Sequence, residues 1–151
     1  MTEVSLYHLT TTPVEKVLPK LLEKIIASGK RSVVLANSEE RVEMLNNALW
    51  TYAQGSFLPH GTCKDGFPEH QPIWLSTHTD HLNGAHILVL TDGVNPPTLE
   101  NYERCIDIFD GLDEDATTLA KKRIQHYNNN GHDVTYWQQD PKGVWEKKLD
   151  F

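Results

Sequence analysis

Two nearly uninterrupted apolar runs most strongly constrain the fold of this chain. One covers residues 31–36, and the other covers residues 86–91, where Ile87-Leu88-Val89-Leu90 forms the clearest central strand. A strand that is apolar on both faces is typical of a parallel sheet covered by helices on its two sides. A strand with one face in water would alternate apolar and polar residues instead. The two runs therefore favour an α/β domain.

Helical patterns lie between the first strands. Residues 4–9 alternate as a strand, and apolar residues at helical spacing then run from Val14 to Ile26. Pro13 is expected at the first helical position, Pro19 predicts a kink, and residues 28–29 (Ser-Gly) end the pattern. A second helix is expected after residues 37–40, with Val42, Leu45, Ala48 and Leu49 on one face up to Trp50. The order strand-helix-strand-helix favours a right-handed parallel unit.

The second half of the chain continues in the same manner. Strands are predicted at residues 72–76 and 102–109, and a last helix begins at the acids of residues 113–115 and ends at residues 128–131. Residues 133–139 are predicted as a strand or extended segment, and residues 142–148 as a polar tail with one aromatic. Without a repeat or a linker, we predict a single α/β domain over residues 1–151, with three layers and a mostly parallel sheet flanked by helices.

Charge and composition exclude several classes of protein. The chain has 151 residues, a net charge of −7 and two cysteines, with six basic and three acidic side chains in residues 119–148. No apolar run approaches the ~18 residues that span a bilayer, and no secretory signal is visible, so a cytoplasmic protein without membrane contact is expected. Such a chain is a poor general nucleic-acid binder, but its basic end suits one small acidic ligand or tail.

The first strand–helix connection lacks the glycine-rich loop that binds nucleotide phosphates. Its sequence is Leu9-Thr10-Thr11-Thr12-Pro13, with neither a P-loop nor a dinucleotide fingerprint. The threonine hydroxyls could hold an anion at the helix N-terminus, but a plain cap is favoured. We therefore expect no cofactor.

A metal site is the main catalytic alternative. His60, Cys63 and His70 lie in the turn-rich connector of residues 55–71 and could form a metal site for a small hydrolase or transferase. Their spacing is not that of a zinc finger or a helical site, and scattered surface histidines are favoured. Cys105 lies within a predicted strand and is expected to be an inert core thiol.

Two groups of residues indicate recognition of a partner. Lys121 and Gln125 share one face of the last helix, beside Ile124, so that a lysine and an apolar side chain could bind a carboxylate and its apolar neighbour. The alternative is a solvated helix face. Trp50 and Phe57 flank a polar connector, where large aromatics either complete a core or anchor another chain.

With these residues in view, the sequence resembles the chi subunit of bacterial DNA polymerase III. The resemblance rests on the motif Leu49-Trp50 followed by residues 56–60 (Ser-Phe-Leu-Pro-His), supported by the strand at residues 4–9, the segment of residues 28–35 and the helix of residues 119–131. It implies a fold similar to a mononucleotide-binding domain that has lost nucleotide chemistry. It further implies a non-catalytic subunit that links the clamp-loader complex to single-stranded DNA-binding protein, and so contacts DNA only indirectly.

The resemblance also implies two binding surfaces. The acidic, phenylalanine-ending C-terminal tail of single-stranded DNA-binding protein is expected on the last helix. The psi subunit, or an alternative partner such as a helicase, is expected at Trp50, Phe57 and Pro59. Lys121, Ile124 and Gln125 stand where the family has arginine, tyrosine and lysine, which implies weaker or repositioned binding of the tail. The residues expected at the tail site are Lys121, Arg123, Ile124, Gln125 and Tyr127.

Overall fold

The computed structural model of the chain shows strands and helices in alternation. It describes residues 2–51, 60–62, 71–77, 84–91, 99, 102–111 and 113–148. The strands are β1 (Glu3–Leu9), β2 (Ser32–Leu35), β3 (Gly61–Thr62), β4 (Ile73–Ser76), β5 (Ile87–Thr91), β6 (Arg104–Asp110), β7 (Asp133–Gln139) and β8 (Trp145–Lys148). The helices are α1 (Val14–Ala27), α2 (Glu39–Thr51) and α3 (Glu114–Asn129).

All the strands named above belong to one sheet, in the order β3-β4-β2-β5-β6-β1-β7-β8. Neighbouring strands are parallel throughout, except that β7 and β8 are antiparallel. The apolar runs of β2 and β5 pair with each other in the interior of the sheet, and both strands are buried along their whole length. The prediction of a mostly parallel α/β sheet is therefore confirmed.

The core consists of two layers, one on each face of the sheet. Side chains of α1 and α2, including Leu18 and Leu45, pack against Val34, Val89 and Ile106 on one face. On the other face, α3 packs against alternate residues of the same strands. This arrangement confirms the three-layer prediction, because successive strand residues point to opposite faces and both faces are apolar. Within the described residues, no helix has the length and apolar character needed to cross a membrane.

The ends of the helices follow local sequence signals, with one difference. Pro13 is the N-cap residue of α1 in extended backbone, rather than the first helical residue, and the helix continues through the buried Pro19. Gly29, with φ of 79°, follows the C-cap in a conformation that glycine adopts without strain. The helix α3 begins at the predicted acids, and Asp113 caps it, since its side chain accepts hydrogen bonds from the backbone N–H groups of Asp115 and Ala116.

The prediction of a polar tail over residues 142–148 is wrong. Residues 145–148 form β8, which pairs with β7 through a turn in which Asp140 Oδ1 accepts hydrogen bonds from the N–H groups of Lys142 and Val144, at 2.8 and 2.9 Å. The Trp145 ring packs edge-on against Tyr7, with centroids 4.9 Å apart. This tertiary contact and the turn order a segment whose charge pattern alone resembles a solvated tail. The short strand β3 within the connector was also not predicted.

A histidine is built into the carboxyl end of the sheet. The Nδ1 atom of His8 is hydrogen-bonded to the Tyr136 hydroxyl, and its ring packs against Phe109, with centroids 4.9 Å apart. A Cβ atom at position 111 would overlap the His8 ring, so glycine is required there. Burial lowers the pKa of His8 below its ordinary value of 6.5, against a smaller opposing effect of a hydrogen bond to the Gly111 backbone. The folded state therefore favours the neutral imidazole.

We predict that His8 makes the protein less stable as the pH falls below about 6.5. Because its pKa is lowered in the folded state, the unfolded chain binds the proton more readily, and the free energy of unfolding declines until the pH passes the folded-state pKa. In urea denaturation at pH 7.5 and pH 5, the stability advantage of wild type over His8→Gln should shrink at the lower pH. The control is His126→Gln, on the exposed side of α3. An advantage that is equal at both pH values would contradict the prediction.

Candidate protein-binding surfaces

The period of α3 separates its residues into a buried and an exposed set. Ala120, Arg123, Ile124 and Tyr127 are buried, at spacings of three and four residues. The exposed set includes Lys121, Lys122 and Gln125. Of the five residues expected at the tail site, only Lys121 and Gln125 therefore offer their side chains to solvent.

Arg123 pairs with a carboxylate inside the protein. Its Nε atom donates to Asp107 Oδ2 at 2.7 Å, and its Nη2 atom donates to Asp107 Oδ1 at 3.1 Å. The Tyr127 hydroxyl donates to Asp107 Oδ2 at 3.2 Å. The Asp107 side chain is 0% exposed and the Arg123 side chain 7%. This bidentate pair ties α3 to β6, and it directs the guanidinium into the protein instead of toward a ligand.

The protonation of this triad suits a structural role. Burial raises the pKa of the Asp107 carboxyl, while the guanidinium of Arg123 and the hydroxyl of Tyr127 oppose that rise. Burial, followed by the nearby Asp107 charge, also raises the pKa of Tyr127, so the hydroxyl keeps its proton and acts as a donor. The three side chains thus satisfy one another's hydrogen bonds inside the protein.

The apolar neighbour of the exposed lysines is a leucine that the sequence interpretation missed. Ile124, which was expected beside the lysine, is only 2% exposed, whereas Leu119 is 51% exposed. Leu119 lies one turn before Lys122, at a spacing of three residues, so the two share a face. The helical period that places Arg123 among the buried residues leaves Leu119 out of them. The period would therefore have indicated that the Leu119 side chain faces water. The exposed face of α3 thus offers two lysines, a glutamine and an apolar side chain.

The second predicted surface is described in part. Trp50 at the end of α2 is 53% exposed, and its ring packs against that of His60, with centroids 4.7 Å apart. Leu45 and Leu49 on the same helix are buried, as predicted, which confirms that Trp50 points away from the core. Met44 on α2 is also exposed, at 54%. Phe57 and Pro59 lie outside the described residues, so their part in this surface stays a prediction.

The loop between β1 and α1 is filled by a side chain of the protein itself. Gln139 Oε1 accepts hydrogen bonds from the backbone N–H groups of Thr10 and Thr11, at 3.1 and 3.3 Å. Its Nε2 atom donates to Thr12 Oγ1 at 3.2 Å, and its backbone oxygen accepts from Thr10 Oγ1 at 3.0 Å. The glutamine therefore satisfies backbone donors of the β1–α1 connection, the segment that carries the phosphate loop in nucleotide-binding folds.

The residues of the catalytic alternative are described only in part. No cluster of three or more histidine, cysteine or acidic side chains suited to a metal occurs in the described part of the chain. His60 is buried against Trp50, while Cys63 and His70 lie outside the described residues. Cys105 is buried, and burial raises the pKa of its thiol well above the ordinary value. That confirms the prediction of an inert core thiol, because nucleophilic cysteines have a lowered pKa.

Comparison with known proteins identifies the family of the chain. Residues 1–135 match the family described as "DNA polymerase III chi subunit, HolC". The chain belongs to the DNA polymerase III chi subunit family. It is 31% identical, over 154 aligned residues, to a protein of Rickettsia prowazekii (strain Madrid E) named "Probable DNA polymerase III subunit chi". The alignment covers 97% of this chain and 92% of that relative.

Membership of the chi family fixes the class of function. The chi subunit is an accessory component of the DNA polymerase III holoenzyme and not a catalytic one, so the chain has an accessory role in replication. The resemblance recognised in the sequence motifs is thereby confirmed.

We predict that Arg123→Ala destabilises the protein by about 3–5 kcal/mol, because it leaves the Asp107 charge buried without its partner. The matched control, Lys122→Ala on the exposed face of the same helix, should change stability by less than about 0.5 kcal/mol. Both values are measured by urea denaturation followed by circular dichroism. A double variant, Asp107→Leu with Arg123→Met, should regain much of the loss. If Arg123→Ala costs no more than Lys122→Ala, the ion pair does not hold α3 in place.

Proposed function

We propose that this chi-family protein is an adaptor that links the clamp-loader side of the polymerase holoenzyme to the C-terminal tail of single-stranded DNA-binding protein. It makes no covalent chemistry of its own, and it reaches DNA only through that partner. The observation that carries the proposal is membership of the chi family together with an exposed basic face on α3.

The tail is bound on the exposed face of α3. Lys121 and Lys122 attract the acidic residues and the terminal carboxylate, Gln125 donates a hydrogen bond, and Leu119 contacts the terminal phenylalanine. Three buried residues position this face without contacting the tail, because their contacts with the sheet fix the orientation of the helix. They are Arg123, Ile124 and Tyr127. These roles divide the five expected residues into two that contact the tail and three that position them.

Weak single contacts are sufficient for this role. A complex of DNA and single-stranded DNA-binding protein displays many identical tails along one strand, so an adaptor that releases one tail meets another at high local concentration. Affinity in the micromolar class, about −8 kcal/mol, then holds the polymerase at the template without trapping it.

The second surface docks the protein onto the holoenzyme. Trp50 is half exposed at the end of a helix whose other face is buried, and exposed aromatic side chains are the commonest anchors of protein interfaces. We propose Trp50, Phe57 and Pro59 as the contact for the psi subunit or for an alternative partner such as a helicase. The two surfaces would let one chain bridge two partners.

We predict that charge reversal on α3 weakens binding of an acidic peptide that ends in phenylalanine with a free carboxylate. Lys121→Glu and Lys122→Glu should each weaken it about fivefold or more, because each exchanges an attraction for a repulsion. Fluorescence anisotropy of the labelled peptide measures the dissociation constants, and added salt should weaken binding to wild type.

Lys142→Glu is the matched control for these two variants. It makes the same charge change in the turn between β7 and β8, and its affinity for the peptide should stay close to that of wild type. Equal affinities of wild type and of both α3 variants would show that the tail binds elsewhere. Arg123→Glu is unsuitable for this test, because a buried charge reversal would unfold the helix contact itself.

We also predict that Trp50→Ala separates docking from folding. Since the side chain is half exposed, the stability loss should stay below the roughly 3–5 kcal/mol typical of a buried tryptophan. Capture of DNA polymerase III subunits from a cell extract of the source organism, identified by mass spectrometry, should be lost. Leu49→Ala is the contrasting variant, with a large loss of stability because Leu49 is buried. Undiminished capture by folded Trp50→Ala would exclude this surface.

A further inference from the structure

A groove lies on the face of the sheet opposite α3. It runs along α1 beside the strands β1, β7 and β8, extends to β5, β6 and the end of α2, and has a volume of about 1240 Å³. Neither of the two surfaces proposed above includes it. Its lining combines a basic wall on the helix with an aromatic floor on the strands.

The wall is formed by one side of α1. Lys16, Lys20 and Lys24 recur every four residues, are exposed, and all line the groove. Arg104 lies at its base, where Nη2 donates to Ser5 Oγ at 3.2 Å. The groove therefore collects four cations in a chain whose net charge is −7.

Two glutamates of α1 also line the groove and reduce its positive charge. Glu15 forms an ion pair with Arg41 of α2, so its charge is largely compensated on the side of that helix. Glu23 lies on the wall between the last two lysines. The balance of the wall remains positive.

The floor is formed by three partly buried aromatic residues. Tyr7 and Trp137 are directly opposite each other in the pairing of β1 with β7, so both point to the α1 side of the sheet. Trp145 on β8 completes the floor and meets Tyr7 edge-on, with an interplanar angle of 86°. Large aromatic side chains beside a row of cations provide an apolar pocket with a complementary charge along its rim.

We infer that this groove binds a short acidic segment of a partner protein that carries one aromatic or large aliphatic side chain. The acidic residues pair with the lysine row, and the apolar side chain lies on the floor formed by Tyr7, Trp137 and Trp145. Lys16 and Lys24 are about 12 Å apart along the helix axis. That length corresponds to roughly four residues of extended chain.

The arrangement favours a peptide over single-stranded nucleic acid. Bases stack on ring faces that are presented to solvent, whereas Tyr7 and Trp145 already pack edge to face with each other. Glu3 and Asp133 are exposed on the same face of the sheet, at its amino-terminal edge, where they would repel a continuing phosphate backbone.

The test uses a probe that the α3 surface does not select. A fluorescein-labelled peptide Glu-Asp-Phe-Asp-Glu-Leu, acetylated and amidated, has no terminal carboxylate and no terminal phenylalanine. Anisotropy is measured with wild type, with the double variant Lys16→Glu/Lys20→Glu, and with the matched double variant Lys121→Glu/Lys122→Glu on the other face. Thermal unfolding of each protein confirms that it is folded.

We expect the α1 double variant to weaken binding about tenfold or more and the α3 double variant to change it less than about threefold. A peptide with serine in place of phenylalanine should also bind wild type about tenfold more weakly. Equal binding by the two double variants, or no binding to wild type at roughly millimolar concentration, overturns the inference. Tighter binding of a labelled oligothymidylate, lost in the α1 double variant, overturns it in favour of nucleic acid.

These outcomes are independent of the adaptor proposal. That proposal depends on a free phenylalanine terminus and on lysines of α3, which lie on the opposite face of the sheet. If only the α3 double variant lost binding of this peptide, the groove proposal would therefore be wrong, and the proposal of a tail site on α3 would be unaffected.

Discussion

The orientation of α3 depends on a single buried carboxylate. Asp107 has no contact with water, so its charge must be compensated by groups inside the protein, and among the described residues α3 supplies them. The planar guanidinium of Arg123 meets both carboxylate oxygens, which fixes the rotation of the helix about its own axis more strictly than an apolar contact would. Tyr127 adds a third hydrogen bond one turn later. Every exposed position of α3 follows from that rotation.

The separation of roles within α3 is a consequence of this constraint. Since Arg123 is directed into the sheet, the adjacent Lys121 and Lys122 must point outward, and Leu119 joins them. A buried ion pair is weak evidence of net stability, because desolvation of the two charges offsets much of their attraction. Its stronger effect is on specificity: an α3 rotated by one residue would leave Asp107 without a partner. The pair thus selects which side chains face solvent.

The sequence predicted the fold better than the site, for identifiable reasons. Short apolar runs such as residues 86–91 are typical of buried strands in a parallel sheet, so these runs were enough to predict the sheet. Arg123 was assigned to a ligand because the family resemblance placed the tail site on this stretch of the last helix. The spacing of Ala120, Arg123 and Tyr127 would have placed it inside, and the lone acid Asp107 between two isoleucines was its natural partner. Strand β8 was missed because its order comes from a contact with Tyr7 that no local pattern contains.

The carboxyl edge of the sheet, where nucleotide-type topologies usually bind their ligands, is filled by side chains in this protein. β1 and β6 are neighbours, and the helices that follow them lie on opposite faces, which creates the crevice where open α/β sheets usually bind ligands. In this protein Gln139 satisfies the backbone donors after β1, and His8 packs against Gly111 at the end of β6. The crevice is therefore closed by the protein's own side chains. Exposed cations and partly exposed aromatic side chains lie instead on the two faces of the domain and at the end of α2.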